Sequence, residues 1–269
     1  MDGTRYVVDP TDPRAPSRAV WESLSQAERR RVVAALPSEL PLAGPPEGDF
    51  HRLPKEQARE ALEEHFGRRG RSVYVGSELP VYYPSEPVIA PDLFVVFDVP
   101  PQPRDRWVVA DEGKGLDFVL EVHLRGDRTK DYERNVELFA RLGIREYFVF
   151  DAGRTRLSGF SLADETYRPI VPQSGRWRSD VLDLDLTFDG AGHFRFHFGE
   201  AWLPFGIEVR DRLRRDLGSA VRRAEEEARR AEEEARRAEE EARRAEEEAR
   251  RAEAYATKLR DLGIDPDNL

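Results

Sequence analysis

Two carboxylates stand where apolar residues are the rule. Asp92 follows Pro91 and opens the run Leu-Phe-Val-Val-Phe, and Glu121 interrupts the run Phe118-Val-Leu-Glu-Val-His-Leu124. A charge in or beside a buried strand is costly unless it is paired or holds a metal ion. Other chemistries find less support. The chain has no cysteine, which removes disulfides, thiolate zinc sites and cysteine nucleophiles. It carries no phosphate-binding glycine loop, no dinucleotide fingerprint and no Ser-His-Asp signature. His193 and His197 share a strand face but lack a third ligand for zinc.

The elements that must position Asp92 and Glu121 can be read in order. Residues 1–50 are broken by Asp-Pro, Ala-Pro, Leu-Pro and Gly-Pro-Pro steps. One helix is expected there, capped at Ser17, with Val20, Leu24, Val32, Val33 and Leu36 on its apolar face and an end near Pro37. This segment reads as an arm packed on the domain. Residues 54–68 predict an amphipathic helix with Pro54 in its first turn and Ala58, Ala61, Leu62, His65 and Phe66 on one face. Strand composition follows at 71–76, 79–83 and 88–98, and residues 99–115 read as a loop. Leu116–Leu124 predicts a buried strand, 127–142 a helix stopped at Gly143, and Arg145–Asp151 another strand. Strand, crossover helix and strand make a βαβ unit. From 154 to 198 short alternating runs predict antiparallel strands.

The remainder has a different composition. Arg-Arg-Ala-Glu-Glu-Glu-Ala occurs four times from residue 222, and the alanines step by four and three. That spacing is an a/d heptad seam in a strong helix-forming sequence, laced by Glu-to-Arg pairs four apart. An alanine seam buries little apolar area, so a dimeric coiled coil and a solitary charged helix are both open, with the dimer ahead. The expected organisation is an arm (1–50), an α/β domain with a mixed sheet flanked by helices (51–205), a long charged helix (206–262) and a tail (263–269). The formal net charge is −10, which makes bulk electrostatic attraction to nucleic acid weak without excluding a local basic groove. No apolar run is long enough to span a membrane, and a cytoplasmic protein without membrane partners is expected.

The ordered set Pro91-Asp92, Glu121 on a strand, a helix with Asp131 and Phe139, then Gly143-Ile-Arg-Glu-Tyr-Phe-Val-Phe-Asp151 resembles the Uma-two family of proposed restriction endonucleases, in the PD-(D/E)XK nuclease superfamily. The resemblance covers about residues 50–210. It implies a restriction-endonuclease-like fold and hydrolysis of DNA phosphodiester bonds with a divalent ion, Mg²⁺ or Mn²⁺. Such an ion activates water and neutralises charge on the departing oxygen. It takes hard oxygen ligands, here Asp92 and Glu121, with the Val122 carbonyl as a third and Glu60 or Glu64 within possible reach. The chain departs from the pattern at the lysine: the position two after Glu121 is His123, and the position four after Asp131 is Asn135. His123, Lys130 or Lys114 are the candidates to stand in, His123 as a base or water-orienting group. Arg125, Arg128, Lys130 and Arg134 form a candidate phosphate-facing patch. A homodimer, through the charged helix or the nuclease-like domain, would suit cutting of two strands. The missing lysines also admit a second reading, a nuclease-fold module that binds or scaffolds without cutting.

Overall fold

The computed structural model describes residues 6–40, 48–124, 128–261 and 263. The chain forms two compact units, one through Gly206 and one from Ile207.

The first unit is built on a six-stranded sheet. Its order is β1 (Val73–Gly76), β3 (Leu93–Phe97), β5 (Phe118–His123), β6 (Glu146–Asp151), β7 (Arg156–Ala163) and β8 (Thr166–Pro169). Only β5 and β6 run parallel; the other neighbours are antiparallel. The helix between β5 and β6 is the reason, because a parallel pair needs a long crossover. Leu93 pairs with Leu120 across β3 and β5, so Asp92, one residue before, lies beside Glu121, one residue after. The sheet is covered on both faces, as its near-continuous apolar strands require. One face packs Leu93, Val95, Phe118 and Leu120 against helix α3 (Asp49–Arg68) and a second sheet. That sheet has the order β12 (Ala201–Trp202), β11 (Phe194–Phe198), β10 (Leu184–Phe188) and β9 (Trp177–Ser179). The other face packs Val119, Tyr147 and Val149 against Phe139 of helix α5 (Asn135–Arg141). In β1, Gly76 is required by close approach, since a Cβ there would lie 2.2 Å from the Phe94 ring.

Three expectations change. The helix expected before Pro37 is two, α1 (Arg18–Ser23) and α2 (Gln26–Ala35), because Ser25 and Glu28 close a capping box that starts a new helix. Trp21, Val32 and Leu36 then pack with Tyr82 and Val108. Residues 99–115 hold β4 (Trp107–Val108), paired in parallel with β2 (Val81–Tyr82), and the short helix α4 (Val109–Glu112). Helix α3 starts at Asp49, so Pro54 sits inside it. Arg52 bridges Asp49 at 2.8 Å and Glu56 at 2.6 Å along that added turn. The turn brings His51 and Lys55 to Asp92.

In the second unit, helix α6 runs from Gly206 to Asp261, 56 residues with none buried. At 1.5 Å per residue it is about 84 Å long. The heptad frame that puts Ala228 and Ala231 in the seam puts Glu232 and Glu234 on its two flanks and Arg229 and Arg230 on the far side.

Candidate active site

Asp92 is fixed by its main chain before its side chain does anything. Glu78 N–H donates to the Pro91 carbonyl at 3.0 Å, and Ser77 Oγ donates to the Asp92 carbonyl at 2.7 Å. Its carboxylate then crosses to β5, where Oδ2 accepts the Val122 N–H at 2.7 Å. Helix α3 closes in from the other side: His51 Nε2 lies 3.5 Å from Oδ2, and Lys55 Nζ lies 3.7 Å from Oδ1. His51 and Lys55 are one helical turn apart, so a single helix face presents both. Lys55 is only 3% exposed, and it also forms an ion pair with Glu78. Glu78 is held in a left-handed backbone conformation, φ 54°. A non-glycine residue adopts that conformation at a cost of roughly 1 kcal/mol.

Glu121 is buried and shares a hydrogen bond with Asp92. Burial pushes its carboxyl well above the ordinary range, the charge of Asp92 adds to this, and the Lys130 ammonium offsets part of it. The two carboxyl groups therefore face each other across β3 and β5, within hydrogen-bond reach. Two carboxyl groups close enough to share a proton turn oxygens toward each other, and a divalent ion can take the proton's place. Among the described residues no group of three or more His, Asp or Glu is arranged around a metal position. The donor set fits an ion that keeps most of its waters and accepts one or two carboxylates, which is the preference of Mg²⁺.

His123 lies beside this pair, two residues after Glu121. Its Nδ1 is 2.8 Å from Asp131 Oδ2, and both side chains are buried. Asp131 is thus a partner of the strand histidine. It gets there through a π-helical turn, Lys130–Arg134, in which Asn135 N–H reaches back to the Lys130 carbonyl. Such turns insert one extra residue and re-aim a side chain, and they are frequent at functional sites. Tyr147 Oη donates to the Asp131 carbonyl at 2.9 Å and locks the turn. Burial raises the Tyr147 phenol well above its usual range, helped by Glu121 and Asp131, while a hydrogen bond from Asn135 works the other way.

Asp92, Glu121, His123 and Lys130 thus come together, the last by the effect of its charge on Glu121. Val122 contributes its N–H to Asp92. Glu60 and Glu64 are exposed, and Glu64 pairs with Arg68. Lys114 does not join the group. It bonds the Phe97 carbonyl and lies 3.4 Å from Asp117, at the far end of β3 from Asp92. Asn135 is buried against Tyr147. Arg128 stacks on the Tyr132 ring at 4.6 Å and lies 3.8 Å from Asp151. Arg134 is exposed, and Arg125 and Asp127 fall outside the described residues. His193 pairs with Asp189 in the turn between β10 and β11. The sequence reading missed His51 and Lys55. Their only signal was the i,i+4 spacing, which a surface helix shows equally.

A search among curated proteins found no match. Among solved structures, the chain is similar to one described as a putative nuclease belonging to DUF820 from Anabaena variabilis. The identity is 12% and the TM-score 0.41, over 52% of this chain and 76% of that one. Residues 21–190 match the family model described as "Uma2: Putative restriction endonuclease". That match spans more than half of the chain and contains every residue of the Asp92–Glu121 site, and the protein belongs to the Uma2 family.

Proposed function

We propose that this protein is a divalent-metal-dependent endonuclease acting on DNA. The observation that carries the proposal is the pairing of Asp92 with the buried Glu121, side by side at the end of β3 and β5. Membership of a family of nucleases gives that carboxyl pair its chemical context. Asp92 and Glu121 would hold Mg²⁺ or Mn²⁺, with the Val122 carbonyl as a further ligand. When bound, the ion supplies a water acidified for attack and a positive charge for the phosphate oxygens.

The protein's own residues do the rest. Val122 N–H keeps one Asp92 oxygen pointed into β5. Asp131 engages His123 at Nδ1, which fixes the imidazole's orientation and leaves Nε2 as the nitrogen for proton transfer. A base oriented by a buried carboxylate is the arrangement that general-base chemistry uses. Lys130 places a positive charge near Glu121. It is exposed, so it is the side chain best able to meet a phosphate group.

The test is a plasmid-nicking assay with Mg²⁺ or Mn²⁺ on the wild type and on Asp92→Ala. Metal-dependent nicking by the wild type alone is expected; equal nicking by both, or none by either, contradicts the proposal. A second reading has one observation in its favour. Asn135, where the resemblance calls for lysine, is buried against Tyr147, and no lysine stands at 123. On that reading the fold binds or scaffolds without cutting, and it expects unchanged DNA binding and no nicking in either protein. Dimerisation through α6 is not part of the proposal. Laying two seams together would oppose glutamates such as Glu232 and Glu234 at each heptad, which disfavours self-pairing near neutral pH.

A further inference from the structure

We propose that Lys55 is the resident cation of the carboxylate site, delivered by α3, and that a divalent ion must displace it from Asp92. The inference rests on the metal-site reading of Asp92 and Glu121. Lys55 is buried to 3% exposure, a rare state for a lysine unless it is paired. Its Nζ bridges two carboxylates of different character. Asp92, at 3.7 Å, is nearly buried and belongs to the site. Glu78 has a side chain 54% exposed and lies outside the site, on the turn after β1. A cation bridging two acceptors can leave one and keep the other. Lys55 can therefore give up Asp92 to an incoming ion while it stays neutralised by Glu78.

The arrangement also explains why the site tolerates the loss of lysine at both expected positions. An unpaired carboxylate at the end of a buried strand is costly, and here α3 reaches across to supply the compensating charge. His51 Nε2 approaches the same carboxylate from one turn earlier, at 3.5 Å. Glu78, which holds a left-handed backbone conformation, supplies Lys55 with a second acceptor. Lys55 is too enclosed to meet a nucleic acid directly. It acts through Asp92 and is a positioning residue.

The two substitutions that test this have opposite signs. Lys55→Met keeps the bulk and removes the competing charge. Glu78→Gln removes the outer partner, so Lys55 is held more firmly on Asp92. Mn²⁺ alone is titrated into the full-length chain by calorimetry at pH 7, with circular dichroism to confirm folding. Lys55→Met is expected to bind Mn²⁺ about tenfold tighter than the wild type, and Glu78→Gln several-fold weaker, as a neighbouring like charge dictates. Weaker or unchanged binding by Lys55→Met overturns the proposal while leaving the metal site standing. Should Lys55→Met not fold, Glu78→Gln decides, since Glu78 is half exposed and its loss should be tolerated; unchanged or tighter binding overturns the proposal. If neither the wild type nor the variants bind Mn²⁺, the metal-site reading fails and this inference fails with it.

Discussion

The central strands carry buried carboxylates at both ends, and the two ends treat them differently. At one end, Asp117 accepts the Phe97 N–H at 2.8 Å, with Lys114 at 3.4 Å and Arg145 at 3.7 Å. Beside it Glu146 accepts Ser179 Oγ, the Asp180 N–H at 2.8 Å and the Val181 N–H at 3.2 Å, tying the main sheet to the second one. At the other end, Glu121 faces Asp92, and Asp131 faces His123. Burial alone does not mark a functional carboxylate. What separates the ends is the added partner: Asp117 and Glu146 meet donors and cations, whereas Asp92, besides the Val122 N–H and Lys55, meets a second carboxyl group, and Asp131 meets a histidine. Groups that donors satisfy hold the fold together, whereas groups that oppose one another leave room for an ion or a proton to decide their state.

The sharpest break in the comparison comes from removing members of the opposing pair. Asp92→Asn and Glu121→Gln are each expected to cut metal-dependent nicking on the order of a thousandfold, because several kcal/mol of transition-state stabilisation go with the ion. Both should remain folded. At the satisfied end the pattern reverses: Glu146→Ala is expected to cost about 2–4 kcal/mol in urea denaturation, since three donors lose their acceptor. Its nicking per folded molecule should not change. Loss of activity at Glu146, or of folding at Glu121, would erase the distinction.

His123 and Lys130 sharpen it further. His123→Ala should lower nicking by about a hundredfold, the scale of a general base. Asp131→Asn should lower it by roughly tenfold, because it removes only the group that orients the imidazole. Lys130 is exposed and screened, so Lys130→Ala is expected to change nicking only about threefold. A Lys130 effect larger than that of His123 would assign the lysine's role to Lys130.

The smallest effect is one of pH. The Glu121 carboxyl is raised in the folded state by burial and by Asp92. Below the unfolded value both states hold the proton, and the group costs nothing. As pH rises above that value the unfolded chain releases its proton while the folded chain keeps it, so stability falls until the folded pKa is reached. Without metal, Glu121→Gln should therefore gain on the wild type as pH climbs above about 4.5, by at most about 1.4 kcal/mol per pH unit. Urea midpoints across pH 4 to 7 would show it. A wild type that gains on the variant over that range would mean that Glu121 is ionised in the fold.

Much of this was legible in the sequence, and the part that was not has a physical reason. Apolar runs around Asp92 and Glu121 read as buried strands, and Gly143 followed by Glu146–Asp151 read as a helix stop and a return to the sheet. His123 and Asp131 were visible as residue types, yet their pairing depends on a π-helical turn that periodicity does not encode. Lys55 was the least legible. A lysine on an amphipathic helix reads as solvated, and its burial goes with a helix that begins five residues before Pro54 and with the ion pair to Glu78. The strands were set by local pattern, while the α3 side of the site was set by contacts between residues far apart in the chain.

Anomalous diffraction from a crystal of the full chain soaked in Mn²⁺ tests the central claim most directly. The account expects a single strong peak between Asp92 and Glu121, with Lys55 withdrawn toward Glu78. No peak at that end of the sheet, or one beside Asp117 and Glu146 instead, would contradict it.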